Sequence, residues 1–195
     1  MKLRIIVVVL LGAFRALSQG TLVYDQQSTT GGRHEGVVNI QSSQPVGQSF
    51  TPTVTTVGFI QLETNDQIPG NSLGAVIFVN LRMDSITGQI IGQSDPFALP
   101  DNFEGATTFY FSLPVAISPG TTYYFQPVVQ SGDSWSINES FAYHYSGGSA
   151  ILNGVASPTD NLYFREGLVA PEPSTWALLL ALGGGALFLR RRKVA

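Results

Sequence analysis

Between Gln19 and Ala170 the side chains best suited to chemistry are twelve carboxylates, two histidines and a group of aromatics. The acids are Asp25, Glu35, Glu63, Asp66, Asp84, Asp95, Asp101, Glu104, Asp133, Glu139, Asp160 and Glu166. A glycosidase needs two of them facing each other across the scissile bond. Twelve acids offer many pairs, but no spacing singles out two, and most lie near turns where Asp bonds its own backbone. His34 follows Gly31-Gly32 in a loop-like stretch, and His144 alternates with Tyr143 and Tyr145. Both read as solvated or hydrogen-bonded side chains rather than catalysts or metal ligands. Serine is plentiful without a G-x-S-x-G elbow, and the absence of cysteine excludes disulfides, thiolate metal sites and a cysteine nucleophile. No catalytic residue and no metal ligand is assigned on these grounds.

The aromatics suit ligand contact better. Trp135 lies in the loop-like Ser131-Gly132-Asp133-Ser134-Trp135-Ser136, flanked by polar groups. An indole exposed there would stack its apolar face on a sugar ring while nearby hydroxyls and carboxylates bond the sugar's edge. Tyr143 and Tyr145, with Tyr123, would extend the platform. The plain alternatives are a tryptophan folded back over the core edge and a Phe141, Tyr143, Tyr145 face used for packing. Asn138-Glu139-Ser140 fits a glycosylation sequon and is read as coincidence.

These residues must be held by strands. Gly, Pro, Asn, Asp and Ser punctuate the middle of the chain at sandwich-like intervals. Ala75 to Met83 alternates, with Ile77, Val79, Leu81 and Met83 on one face. Thr107 to Leu113 repeats the device, predicting Phe109, Phe111 and Leu113 inward. Further strands are expected over Leu22 to Asp25, Gly47 to Phe50, Thr56 to Thr64, Thr121 to Val129, Phe141 to Tyr145 and Leu162 to Arg165. Pro127 places its strand at an edge or a bulge. No convincing helical period occurs between the termini. The expected fold is all-β: a single antiparallel, jelly-roll-like sandwich.

The ends of the chain differ in character from its middle. Lys2 and Arg4 precede an apolar stretch from Ile5 to Phe14, and Ala16-Leu17-Ser18 puts small residues before a cleavage point, so residues 1–18 read as a signal peptide. An uncleaved anchor is the alternative, and export follows either way, through the Sec translocon and, for the peptide, signal peptidase. With the ends set aside, residues 19–168 form the exported domain. Between Gln19 and Ala170 three arginines stand against twelve acids, a formal charge of −9. Such a surface repels nucleic acid and anionic lipid, having no basic patch to release counterions. A structural Ca²⁺ using Asp25 or Asp160 with backbone carbonyls suits an exported sandwich, without a loop motif to support it.

Residues 169–195 carry Pro171-Glu172-Pro173, then Ser174 as an N-cap, an apolar helix over 175–189, and a basic tail of Arg190, Arg191, Arg192 and Lys193. The 14 apolar residues from Trp176 to Leu189 reach roughly 21 Å as a helix, against about 30 Å of bilayer core. Gly183, Gly184 and Gly185 weaken the helix and allow a partner to approach closely. The cations stay on the cytoplasmic side. The segment reads as one held briefly in the membrane and presented to another protein, with an ordinary tail anchor as the alternative.

This order resembles the PEP-CTERM sorting signal of Gram-negative bacteria rich in extracellular polysaccharide. Pro171, Glu172 and Pro173 match its triplet, Ser174 the small hydroxyl residue after it, and Arg190 to Arg192 its basic end. The resemblance implies recognition by an exosortase, a membrane protease or transpeptidase that cuts near the triplet, with this chain as substrate. A looser resemblance covers Gly47 to Arg165. Gly47-Gln48-Ser49-Phe50, Gly120-Thr121-Thr122-Tyr123 and Asp160-Asn161-Leu162-Tyr163-Phe164-Arg165 are similar to motifs of non-catalytic sandwich domains in bacterial surface proteins with interchangeable anchors. Asn161 and Ser118-Pro119 depart from that pattern. It implies a jelly-roll-like fold, carbohydrate contact and no known reaction. The expectation is a non-enzymatic, cell-surface or extracellular-matrix protein that passes through a transient single-pass state, its C-terminus cytoplasmic. A lectin-like module for exopolysaccharide is the first alternative, and a glycan-acting hydrolase the second.

Overall fold

Alternating Ile77, Val79 and Leu81 are all fully buried, and they anchor the strand around which one of two sheets is built. The computed structural model describes residues 20–28, 35–141 and 145–170. In chain order the strands are β1 (Thr21–Gln27), β2 (Gly36–Asn39), β3 (Gly47–Phe50), β4 (Thr56–Asp66), β5 (Ala75–Met83), β6 (Ile90–Gln93), β7 (Phe97–Leu99), β8 (Glu104–Ala116), β9 (Tyr123–Gly132), β10 (Trp135–Ser140), β11 (Ala150–Leu152), β12 (Val155–Ser157), β13 (Asn161–Leu162) and β14 (Phe164–Ala170). No helix occurs among the described residues. The expected helix over 175–189 lies outside them, as do residues 1–18 and the basic tail.

The first sheet runs β1-β14-β4-β10-β13, with β8 on the other side of β4 and β2 on β10. The second runs β12-β11-β3-β9-β5-β6, with β7 also on β5. The sheets are antiparallel and close over one apolar core. Phe50 and Phe125 from the second sheet meet Phe164 from the first, with ring centroids 6.3 and 5.2 Å away. Burying such rings is the main favourable term in a domain without disulfides. Residues Leu22–Ala170 form one compact unit.

Three expectations need correction. Leu113 is 81% exposed, not inward. Tyr110 pairs with Phe59 and Val115 with Val57, so four residues of β8 stand opposite Gly58 alone. That bulge breaks the period of two beyond Phe111. Second, the chain has a strand at Trp135–Ser140 that the pattern did not predict; of the strand expected at Phe141 to Tyr145, Phe141 is exposed beyond the end of β10, and residues 142–144 lie outside the described residues. Third, Pro127 sits in β9, which has β3 on one side and β5 on the other. Val79 donates its N–H to Ser94 Oγ and accepts at its C=O from Ser94 N–H, both on the side away from β9, so its partner Pro127 turns its own N and C=O away from β5. On that far side β3 pairs only over Tyr123 to Phe125, and the Pro127 carbonyl accepts from Gln44 Nε2 at 2.9 Å. The proline occupies a local edge inside a central strand.

Candidate functional site

Two of the aromatics expected to stack on a sugar, Trp135 and Tyr123, are core residues instead. Trp135 is fully buried at the start of β10 and packs against Phe103, with ring centroids 6.4 Å apart and nearly parallel. Its Nε1–H donates to Asp133 Oδ1 at 2.8 Å, so the polar neighbours that suggested exposure satisfy the indole instead. Tyr123 is also core, packed on Phe50, its hydroxyl accepting from Ser118 N–H. Tyr145 stands edge-on to Phe164 at 5.2 Å. Its hydroxyl donates to Gln26 Oε1 at 2.9 Å and accepts from Thr51 N–H at 3.3 Å, tying β1 to the chain after β3. Tyr143, His34, His144, Pro171 to Ser174 and Arg190 to Lys193 lie outside the described residues. Asn138 of the sequon is 1% exposed inside a strand, closed to glycosylation.

Beside Tyr145 lies a pair of carboxyls that the sequence did not single out. Glu166 of β14 is fully buried, and neither oxygen has a hydrogen bond of good geometry. Burial, then the neighbouring Asp25 carboxyl, push its pKa up to about 9, against a smaller opposing pull from the Gln26 backbone. Glu166 is therefore a neutral acid at neutral pH. For Asp25 burial works upward but is outweighed by Thr53, whose N–H donates to Oδ2 at 2.7 Å and whose hydroxyl donates to Oδ1; the net shift is downward. Burial pushes the Tyr145 phenol up to about 12; Thr51 N–H opposes this, while Glu166 and Asp25 add to it. An acid facing a carboxylate is the polarity a glycosidase uses. Here Glu166 is sealed from solvent, so a substrate does not reach it. Asp160 is engaged by the hydroxyls of Ser157 and Thr159. Among the described residues no group of three or more His, Asp or Glu could hold a metal ion.

The open site lies elsewhere, on the outer side of the first sheet. A groove of about 300 Å³ is lined by Val37, Asn65, Asp66, Gln67, Pro69, Asn102, Phe103, Glu104 and Asn138. The register builds it: Asn65 of β4 is paired with Glu104 of β8 on one side and Ser136 of β10 on the other, while Val37 of β2 faces Asn138. Asp66 fixes the walls by accepting from Ile68 N–H at 2.8 Å and Asn102 N–H at 2.9 Å. Asp101 does the same for Gly70 and Ser72. Gln67 Nε2 donates to Ser136 Oγ at 2.7 Å. Phe103 is held from below by Trp135, so the tryptophan supports the groove from the core. The lining carries Asp66 and Glu104 and no cation.

Sequence reasoning missed this groove because its residues come from four strands and two turns. The alternation of Ser136, Asn138 and Ser140 against Trp135 and Ile137 was the one available signal. The chain matches no protein-family model and no curated protein.

Proposed function

We propose that this chain is an exported cell-surface or extracellular-matrix protein, with a jelly-roll-like and non-catalytic sandwich delivered by a PEP-CTERM-like tail to an exosortase. The Sec translocon and signal peptidase act at its N-terminal end. The tail holds it briefly as a single-pass protein with a cytoplasmic C-terminus. One observation supports the reading most: β14 runs to Ala170, and the Pro171-Glu172-Pro173 triplet, the short apolar run and the arginines follow directly. A cut at the triplet would release the sandwich without removing a strand residue. The formal charge of −9 between Gln19 and Ala170 keeps such a domain off anionic lipid after release.

Mass spectrometry of the mature protein from its native host tests this. The expected product ends near Pro171, and replacing Pro171, Glu172 and Pro173 by alanine abolishes the trimming. A mature chain intact through Ala195 would show a plain membrane anchor instead. A second reading, carbohydrate binding to exopolysaccharide, is favoured by the amide-lined groove, whose exposed polar atoms and phenylalanine wall suit a saccharide.

A further inference from the structure

The outer face of the second sheet carries a continuous side-chain network with open ends. Ile77, Val79 and Leu81 of β5 fill the core, so Phe78, Asn80 and Arg82 point the other way. Their cross-strand partners share that face: Val128, Gln126 and Tyr124 on β9, and Gln93 on β6. Arg82 donates from Nε to Gln126 Oε1 at 2.8 Å and from Nη1 to the Gly88 carbonyl at 2.7 Å. A guanidinium has no acceptor, so it fixes the amides beyond it. Gln126 Nε2 is turned to Gln44 Oε1 at 2.7 Å, while Asn80 gives to Gln126 and takes from Gln93 Nε2 at 3.2 Å. Two groups are left over. Gln93 is exposed, and its Oε1 has no partner among the described residues. Arg82 Nη2 has none either and keeps contact with solvent. Arg82 and Arg165 are the two cations among the described residues, and no carboxylate there pairs with Arg82.

We infer that this face binds a saccharide carrying an isolated carboxylate, a single uronate among neutral sugars, with Arg82 Nη2 donating to that carboxylate. This is a second surface beside the groove, and it rests on the carbohydrate reading. Hydrogen bonds between a guanidinium and a carboxylate are about twice as strong as neutral ones. Gln93 Oε1 accepts from a neighbouring sugar hydroxyl, and Tyr124 and Phe78, both partly exposed, offer apolar contact. The Arg82 and Phe78 rows, four residues apart on β5, are separated by roughly 14 Å, which suits an oligosaccharide. The network holds the guanidinium in place before a ligand arrives, lowering the ordering cost of binding. Charge sets the number of carboxylates. Electrostatic reach at physiological salt is about 8 Å, so a carboxylate at Arg82 answers to that guanidinium. Further carboxylates along the chain find no second cation on the face, in a region of formal charge −9.

The test uses the full chain in detergent, read by calorimetry. The acidic probes are xylotetraose with one glucuronate branch and a hexaose alternating glucuronate with N-acetylglucosamine. Their neutral matches are plain xylotetraose and the N-acetylglucosamine hexaose, and hexaglutamate is the peptide control. At least one acidic probe should bind at least tenfold more tightly than its match, and Arg82→Gln should remove that advantage. Because this change also cuts the network, Ile90→Glu is the second variant. Ile90 is 46% exposed and stands opposite Arg82 on β6, so the added carboxylate occupies the guanidinium from outside without breaking a network bond. It should abolish the acidic preference and leave the melting temperature unchanged, while Ile90→Gln binds as the wild type does. Equal binding of acidic and neutral probes would overturn the role of Arg82 and leave the carbohydrate reading standing. An acidic preference that survives both Arg82→Gln and Ile90→Glu would overturn the site. Hexaglutamate binding as strong as that of the acidic saccharides would overturn the ligand class. Absence of binding to all four saccharides at millimolar concentration would overturn site and reading together.

Discussion

Glu166 is a carboxylic acid held neutral inside a sheet, and its linkage to folding has a definite sign. Its folded pKa, about 9, exceeds its ordinary value of 4.5. Between those pH values the unfolded chain releases a proton that the folded chain keeps, so stability falls as pH rises. Asp25 is shifted the other way, so its contribution is lost as pH falls through its depressed value. The pair therefore favours mildly acidic conditions. Urea unfolding followed from pH 4.5 to 9 should show declining stability in the wild type and a much flatter profile in Glu166→Gln, which keeps the shape of the neutral acid. An unchanged slope would mean that Glu166 ionises freely. Trp135 gives a second residue-level test. Truncation of a fully buried indole to alanine should cost about 3–5 kcal/mol in urea unfolding; an exposed stacking residue would cost little.

Strands show where a local pattern stops being informative. β5 follows its alternation from end to end, because β9 pairs along its length and holds the pleat with only one irregularity, at Val76. β8 does so only as far as Phe111, since the bulge opposite Gly58 then turns Leu113 outward. Phe109 and Leu113, alike in the sequence pattern, should differ sharply in effect. Phe109→Ala should lose about 3–5 kcal/mol, while Leu113→Ser should fall within about 0.5 kcal/mol of the wild type. Chemical denaturation of both variants checks this, and a large loss at Leu113 would place it in the core. β10 failed to stand out for a different reason. Its Ser136, Asn138 and Ser140 are buried and hydrogen-bonded, so a strand paired along both edges, with β4 and β13 on β10 as well as β2, was disguised as a polar loop.

Across the whole domain, chain order and spatial order diverge. β14, the last strand, lies between β1 and β4 and brings Phe164 and Glu166 into the interior. A chain stopped after Ala170 should fold with its β-sheet circular dichroism and cooperative urea transition intact. One stopped after Tyr163 loses β14 and should not fold; retention of the transition would show that closure by β14 is dispensable. The amino-acid sequence by itself determined the all-β class, the placement of most long strands and the acidity of the middle region, because alternation, turn residues and charge are local and additive properties. Tertiary structure alone decided that Trp135 faces the core, that Glu166 meets Asp25 and that Arg82 orients an amide network across the second sheet. Each of those depends on contacts between strands far apart in sequence, and on burial, which sets whether a polar atom meets water or another polar atom.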